Sequence, residues 1–462
     1  MPSEHRKIDI KNTNTKTIQD IQTFENVGTQ IDVSEYLNFE SGYFLGTISC
    51  MNGLLYDETK WEKISPNIYE SSSKKLKKGD YIISRNASLG KISYVHKNSN
   101  IILNGGLSYL RIKDKYRWYF PAFFMTNYGA EYLTCATSGW GTQQNAKRQN
   151  LLDVTIPFPT LKNHKNPEQV EEYISLLVQN MIDKEEQIRA KNEKIDAFIE
   201  QELTENQKEW VFVYKFPKIW EIRNEGRLDT GLYEREYKEI WFIIKNYISW
   251  KFTLSSDELL WGNTPKERIL EPQNKNYLWF TPSDIKTGIL KEKHYIKSTK
   301  YNLTDKFALL FSNRSNCWEG ILYTPHLYSW GHHNQWVYRK EFMEENLILN
   351  LFILCLFNST FLQNLIQKYA NWATFSELRI DQFTKIFIPD FPPEKKSEIA
   401  REYYHPQNKN ENMTPENYIK SERIRNSQVG IFQLNMELFE LRERLEEVVD
   451  AIVQERKIEI VL

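Results

Sequence analysis

Four stretches of this sequence contain residue types that could do chemistry, and their spacing decides what chemistry is available. Ser88-Leu89-Gly90-Lys91 ends like a phosphate-binding loop. That loop needs a glycine five residues before Gly90, and Arg85 stands there, so the backbone cradle for a phosphate is missing. Pro389-Asp390 followed by Glu394-Lys395-Lys396 has the order of a metal-dependent nuclease motif, but only three residues separate the two carboxylates. His332-His333 could ligate a metal, yet no second Cys or His cluster lies nearby in sequence. Cys50, Cys135, Cys317 and Cys355 are far apart, with no CxxC pair to make a zinc ribbon or a redox couple. The catalytic tetrapeptide and the glycine-rich cofactor loop of an amino-methyltransferase are both absent. The sequence therefore predicts no catalytic residues, no metal and no bound cofactor.

A different chemistry is suggested by polar loops that occur twice. Arg85, Asn86 and Ser88, with Lys91 closing the stretch, match Asn313, Arg314 and Ser315. Arginine and asparagine read guanine and adenine edges through paired hydrogen bonds. A second stretch, 141–150, carries Gln143, Gln144, Asn145, Lys147 and Arg148. Its counterpart, 371–379, offers Asn371, Thr374, Ser376 and Arg379. The stretch 329–339 places His333 and Asn334 between Trp330 and Trp336. The plainer reading of any one loop is a solvated turn whose arginine pairs with a surface carboxylate.

These loops sit within an internal repeat. GYFLGTISCMNGLL (42–55) corresponds to NYLWFTPSDIKTGIL (276–290), KKGDYIISRNASLGKI (77–92) to TDKFALLFSNRSNCWEGI (304–321), and DVTIPFPTL (153–161) to KIFIPDFPPE (385–394). The offsets, Gly53 to Gly288 (235), Ser84 to Ser312 (228) and Pro157 to Pro389 (232), cluster around half of 462. Strand-like runs are YIIS (81–84), ALLFS (308–312) and VTIPF (154–158), and the clearest helical run is Glu345 to Tyr369. Each copy closes with a heptad-patterned helix. Ile174, Leu177, Met181, Ile188, Ile195 and Phe198 fall on a and d positions, with Lys184 and Lys191 interrupting. Ile431, Leu434, Leu438, Leu441, Leu445, Val448 and Ile452 form an unbroken seam. The polar, Asn-rich residues 401–427 read as a loop. The expected fold is α+β. Two tandem globular α/β domains, 1–165 and 207–393, are separated by long helices that pair as an antiparallel coiled coil. The first helix covers 166–206, and 394–462 holds the polar loop and the second helix. A rod over 167–203 would be about 55 Å long and could hold two domains at a fixed distance.

Composition narrows the class. With Lys+Arg 60 and Asp+Glu 61 the net charge is −1, which rules out a uniformly basic coat but not a local basic patch. The polar N-terminus has no apolar run typical of a signal peptide. The longest apolar run, Leu347 to Phe357, is interrupted by Asn350 and is too short to cross a bilayer. Four cysteines in a chain this long fit a reducing compartment, so a cytoplasmic protein without a membrane segment is expected.

The stretch KKGDYIISRNASLGK resembles the target-recognition domain of type I restriction–modification specificity subunits. So do TPKERILEPQNKNYLWFTPSDIKTGIL, RLDTGLY (227–233), and an Ile-Pro-x-x-Pro element running into a long helix. The resemblance runs from about residue 40 to 455. It departs from the family at SNRSNCWEG, and at Leu161-Lys162-Asn163-His164, where a glutamine is usual. It implies a non-catalytic subunit for phage defence, whose two domains each read half of a bipartite site in double-stranded DNA. Two adenine-methyltransferase subunits would carry S-adenosylmethionine, and translocase–nuclease subunits could join. The implied base-contact set is Arg85, Asn86, Ser88, Lys91, Gln143, Gln144, Asn145, Lys147, Arg148, Asn313, Arg314, Ser315, His333, Asn334 and Thr374. Two other readings stay open: the recognition subunit of a combined restriction–methylation enzyme, and a two-lobed coiled-coil scaffold that binds no DNA.

Overall fold

The computed structural model describes residues 10–37, 39, 41–51, 53–86, 89–136, 146–209, 211–225, 230–262, 277–286, 295–296, 306–313, 319–324, 331–333, 337–370, 377–409 and 413–461. The chain forms two compact units. One comprises Met1–Gln187, Asn408–Ser427 and Glu437–Leu462; the other comprises Ile188–Gln407 and Gln428–Met436.

Among the described residues, unit one contains three small sheets. Strands β1 (Thr15–Thr17), β2 (Gln22–Val27), β3 (Phe44–Gly46), β4 (Glu62–Lys63), β5 (Tyr81–Ser84), β6 (Ile92–Tyr94), β7 (Ile101–Leu103), β8 (Leu107–Ile112) and β9 (Thr155–Pro157) follow in chain order. Their sheet orders are β1-β9, β4-β3-β7 and β2-β8-β5-β6. β5 and β6 are buried at every residue, including Ser84 and Ser93, of which the Ser84 hydroxyl accepts the Lys91 N–H and the Ser93 hydroxyl donates to the Gly53 carbonyl. Ile82, Leu103, Leu107 and Tyr109 share one core, with Phe44 and Trp61 packed against it.

Unit two repeats this plan. Strands β10 (Lys251–Phe252), β11 (Leu260–Trp261), β12 (Tyr277–Phe280), β13 (Tyr295–Ile296), β14 (Phe307–Ser312), β15 (Gly320–Tyr323), β16 (Gly331–His333), β17 (Val337–Phe342) and β18 (Ile388–Pro389) form sheets β10-β18, β13-β12-β16 and β11-β17-β14-β15. Strand order and direction match unit one sheet for sheet: β3 runs parallel to β7, and β12 parallel to β16. Registers match as well, since Thr15 faces Pro157 and Lys251 faces Pro389. The sequence repeat is thus a repeat of topology.

The helices include α1 (Pro167–Glu205), α2 (Leu347–Asn358), α3 (Pro393–Tyr403), α4 (Pro415–Gln428) and α5 (Ile431–Val453). α1 starts where the Asn166 side chain accepts the Glu168 N–H, with Pro167 in the first turn. Within unit one α1 and α5 are antiparallel: Arg444 donates to the Tyr173 hydroxyl, while Lys184, eleven residues further along α1, bonds Glu437, seven residues back along α5.

The sequence reading differs from the structure in two places here. The run from Glu345 to Tyr369 is not one helix. It breaks at Ser359, whose hydroxyl accepts the Leu362 N–H and caps a second helix, Thr360–Tyr369, bent by 62° from the first. Residues 401–427 are not simply a loop, because α3 runs on to Tyr403 and α4 occupies the stretch from Pro415 onward. Pro415 opens it and the Thr414 N–H is held by the Asn417 side chain. Its buried face is Tyr418, Glu422, Arg425 and Asn426, which carries almost no apolar signal.

That face meets α1 and α5 at a buried ionic cluster. The Lys184 ammonium, 1% exposed, donates to Glu437 at 2.6 Å, Asn426 at 2.7 Å and Glu422 at 3.2 Å. Arg425 makes two bonds to each of the same carboxylates, at 2.5 to 3.1 Å. Asn180 donates to Glu422 and to the Tyr418 hydroxyl, and Asn426 donates to Asn180 and Asp183. Lys184 and Arg425 thus balance Glu422 and Glu437, and Asp183 at the margin of the shell is paired with Arg423 at 3.0 Å. In unit two Lys191 likewise pairs with Glu402 at 2.9 Å. The two lysines that interrupt the α1 heptads are therefore buried and paired.

Candidate nucleic-acid interface

The loop after β5 is a hairpin connection to β6. Ser84 N–H donates to the Lys91 carbonyl at 3.0 Å, and the Ser84 hydroxyl accepts the Lys91 N–H. Gly90 turns the chain with φ +75, a region that L side chains avoid. A Cβ there would also meet Ala130 Cα at 2.6 Å, so the loop lies hard against the helix Asn127–Ala136. Unit two closes the same loop with the same bond, Ser312 N–H to the Glu319 carbonyl. Glu319 takes the place of Lys91, which reverses the charge at that corner.

Arg85 gathers three segments at this end of the sheet. Its N–H donates to the Gly106 carbonyl and its own carbonyl accepts the Ala146 N–H. Its guanidinium donates to the Gly105 carbonyl at 2.7 Å and to the Ala146 carbonyl at 3.2 Å. Burial lowers its pKa, and the charge of Glu25 opposes that shift. The post-β5 loop, the turn between β7 and β8, and the segment leading into the short helix Arg148–Leu152 are thereby tied together. Asn86 is half-buried and packs against Gly106. Lys91, Lys147 and Arg148 face solvent, and Arg148 pairs with the buried Glu25.

Unit two preserves the backbone of this arrangement. Asn313 occupies the place of Arg85, and its carbonyl accepts the Leu378 N–H as that of Arg85 accepts Ala146. Arg379, exposed and paired with Asp381, follows Leu378 as Lys147 follows Ala146. Asn313 itself is fully buried in this structure. The Tyr338 hydroxyl donates to the Leu378 carbonyl, and burial pushes its pKa up to about 12. Ser88, Gln143, Gln144, Asn145, Arg314, Ser315, Asn334 and Thr374 lie outside the described residues. The backbone of His333 lies in β16, and its side chain is outside them too. Among the described residues no three His, Cys, Asp or Glu side chains are grouped to hold a metal.

Three solved structures match along nearly the whole chain. The crystal structure of the type I restriction–modification S subunit from M. genitalium covers 99% of this chain and 99% of its own, at 11% identity and a TM-score of 0.41. The HsdS subunit from Thermoanaerobacter tengcongensis covers 95% and 96%, at 11% identity and a TM-score of 0.29. A structure addressing complex assembly and conformational transition of the type I R-M system covers 96% and 98%, at 12% identity and a TM-score of 0.28. No protein-family model and no curated protein matches the chain.

The role of Arg85 can be measured. Replacing it with Ala removes two charge-assisted hydrogen bonds and leaves two part-buried carbonyls to find other donors. Unit one should lose about 1.5–3 kcal/mol in urea unfolding. Arg85→Lys should restore little, because one ammonium cannot span both carbonyls as a planar fork does. A loss under about 0.5 kcal/mol would mean that the guanidinium does not organise the loops.

Proposed function

We propose that this chain is the sequence-specificity subunit of a type I restriction–modification complex, with no catalysis of its own. Each unit would read one half of a bipartite DNA site and direct partner adenine-methyltransferase and restriction subunits to it. The observation that carries the reading is the duplication. Two sheets with the same strand order each present a hairpin loop closed by the same bond and tied by the same backbone link, Arg85 to Ala146 and Asn313 to Leu378. Two equivalent loop clusters in one chain are what a two-part target requires. The resemblance of the sequence motifs supplies the partners. In this reading the long helices fix the gap between the half-sites, and the near-zero net charge suits a subunit that binds DNA tightly only when partners add phosphate contacts.

The test is adenine-methylation mapping with co-expressed methyltransferase, alongside a gel shift with and without that subunit. The chain alone should transfer no methyl groups, and the complex should methylate a bipartite site. Ala at Lys91, Lys147 and Arg148 should weaken or relax the first half-site by about 1–3 kcal/mol for each base-edge hydrogen-bond pair removed, and leave the second unchanged. Equal relaxation of both halves, or a complex that retains no DNA, would defeat the reading; the latter outcome would favour the scaffold.

A further inference from the structure

Unit two has an apolar surface that the recognition loops leave unexplained. Val211, Val213, Phe216, Ile219 and Trp220 are exposed, Phe216 by 83%. Between 211 and 215 exposure alternates: Val211, Val213 and Lys215 face out, while Phe212 and Tyr214 are half-buried. That period of two is the signature of an extended chain. The inward residues are anchored. The Phe212 ring lies 5.5 Å from Phe242, and the Tyr214 hydroxyl donates to the Tyr233 carbonyl at 2.8 Å. The segment is therefore fixed in place with one face turned outward.

Its backbone is unpaired. Among the described residues, the main-chain N–H and C=O groups of residues 211–216 have no hydrogen-bond partner. Just before it, Lys208 bonds the Asn246 carbonyl, and just after it Lys218 is capped by Glu221. Pro217, with no N–H to donate, ends the run. An anchored, extended stretch of ordinary strand length with open donors and acceptors is a template for strand addition. Lysines outnumber carboxylates around it: Lys208, Lys215 and Lys218 against Glu209 and Glu221. A second copy pairing antiparallel would set like charges near each other, which disfavours it.

We propose that residues 211–216 are a docking edge that takes an extended, acid-flanked segment of a partner protein as an added strand. Val211 and Val213 would fill alternate side-chain positions against that strand, while Phe216, Ile219 and Trp220 supply an apolar anchor beside it. In the function proposed above the partner is the methyltransferase subunit, and that identity rests on that reading.

Amide hydrogen exchange of the full chain, alone and in complex with co-expressed methyltransferase, tests this. Alternate amides within 212–216, including that of Val213, should exchange fast in the free chain and at least about tenfold more slowly in the complex, since an added strand pairs with every second residue. Val213→Pro, which removes a central N–H, should weaken the complex by about tenfold, and Val213→Thr, which keeps it, should not. A complex that forms with unchanged exchange at 212–216 overturns the docking edge and leaves the proposed function standing. No complex at all overturns both. Protection in the chain alone that rises with concentration would assign the edge to a second copy, and this too overturns the proposal.

Discussion

Replacing Lys184 with Met is expected to destabilise unit one by about 3–5 kcal/mol, the cost of leaving a buried charge without its counterpart. Lys184 is 1% exposed and is the second cation facing Glu422 and Glu437. Without it Arg425 alone faces two buried carboxylates, and Asn426 loses the donor to its side-chain oxygen. Met matches the lysine stem in volume, so little of the loss would come from packing. The double variant Lys184→Met, Glu437→Met removes one charge of each sign and should recover most of the loss, since paired apolar replacement of buried ions is often neutral or stabilising. The difference between the double variant and the sum of the two single variants measures the coupling. Urea unfolding, followed by amide exchange in α4 so that unit one is reported alone, gives each value. A single variant within about 0.5 kcal/mol of the parent would show that the cluster is not charge-balanced as the structure has it.

The same cluster explains what could and could not be read from the sequence. The repeat was legible because each copy keeps its apolar strands and turn residues, and the structure repeats strand order and register. The seam from Ile431 to Ile452 was legible because all but Leu441 and its polar neighbours are buried along a 3-4 spacing. α4 was not legible. Hydrophobic periodicity detects helices that bury apolar faces, and α4 buries Glu422, Arg425 and Asn426 instead. The partners of Lys184 lie far along the chain, so the sequence showed an interrupted seam where the structure has a paired ion. The loops are a different case. Arginine and asparagine suit base edges and also suit backbone carbonyls, and residue type alone does not say which. The structure turns Arg85 onto Gly105 and Ala146 and buries Asn313, leaving Lys91, Lys147 and Arg379 outward at the same corners.

Acid should unlock unit one through these carboxylates. Burial raises the pKa of Glu437, but hydrogen bonds and charge from Arg425 and Lys184 outweigh it and hold the group at about 2, against an ordinary 4.5. Glu422 is lowered for the same balance of causes, burial opposed by Arg425 and Lys184. A carboxyl whose folded pKa is depressed stabilises the fold above its unfolded pKa, and that contribution disappears as pH falls through the folded value. For Glu437 the window runs from about pH 4.5 down to about pH 2, and the contribution lost is about 3 kcal/mol. Asp80 and Glu171 act with the opposite sign: burial raises both, and protonating them favours the folded state as pH drops. Asp20, Asp32 and Glu416 are also lowered, by hydrogen bonds from Thr17, Ser34 and Thr414, but all three are fully exposed, so the buried carboxyls of unit one that lose stability in acid are those of the ionic cluster. Stability of unit one, read from exchange of the α4 amides, should be nearly flat from pH 7 to 5 and fall steeply below about 4.5. Glu437→Gln should be less stable at pH 7 and show a shallower slope between pH 4.5 and 2.5, because the titrating group is gone. An unchanged slope in that variant would mean that the acid sensitivity arises elsewhere and that Glu437 is not the carboxylate holding α1, α4 and α5 together.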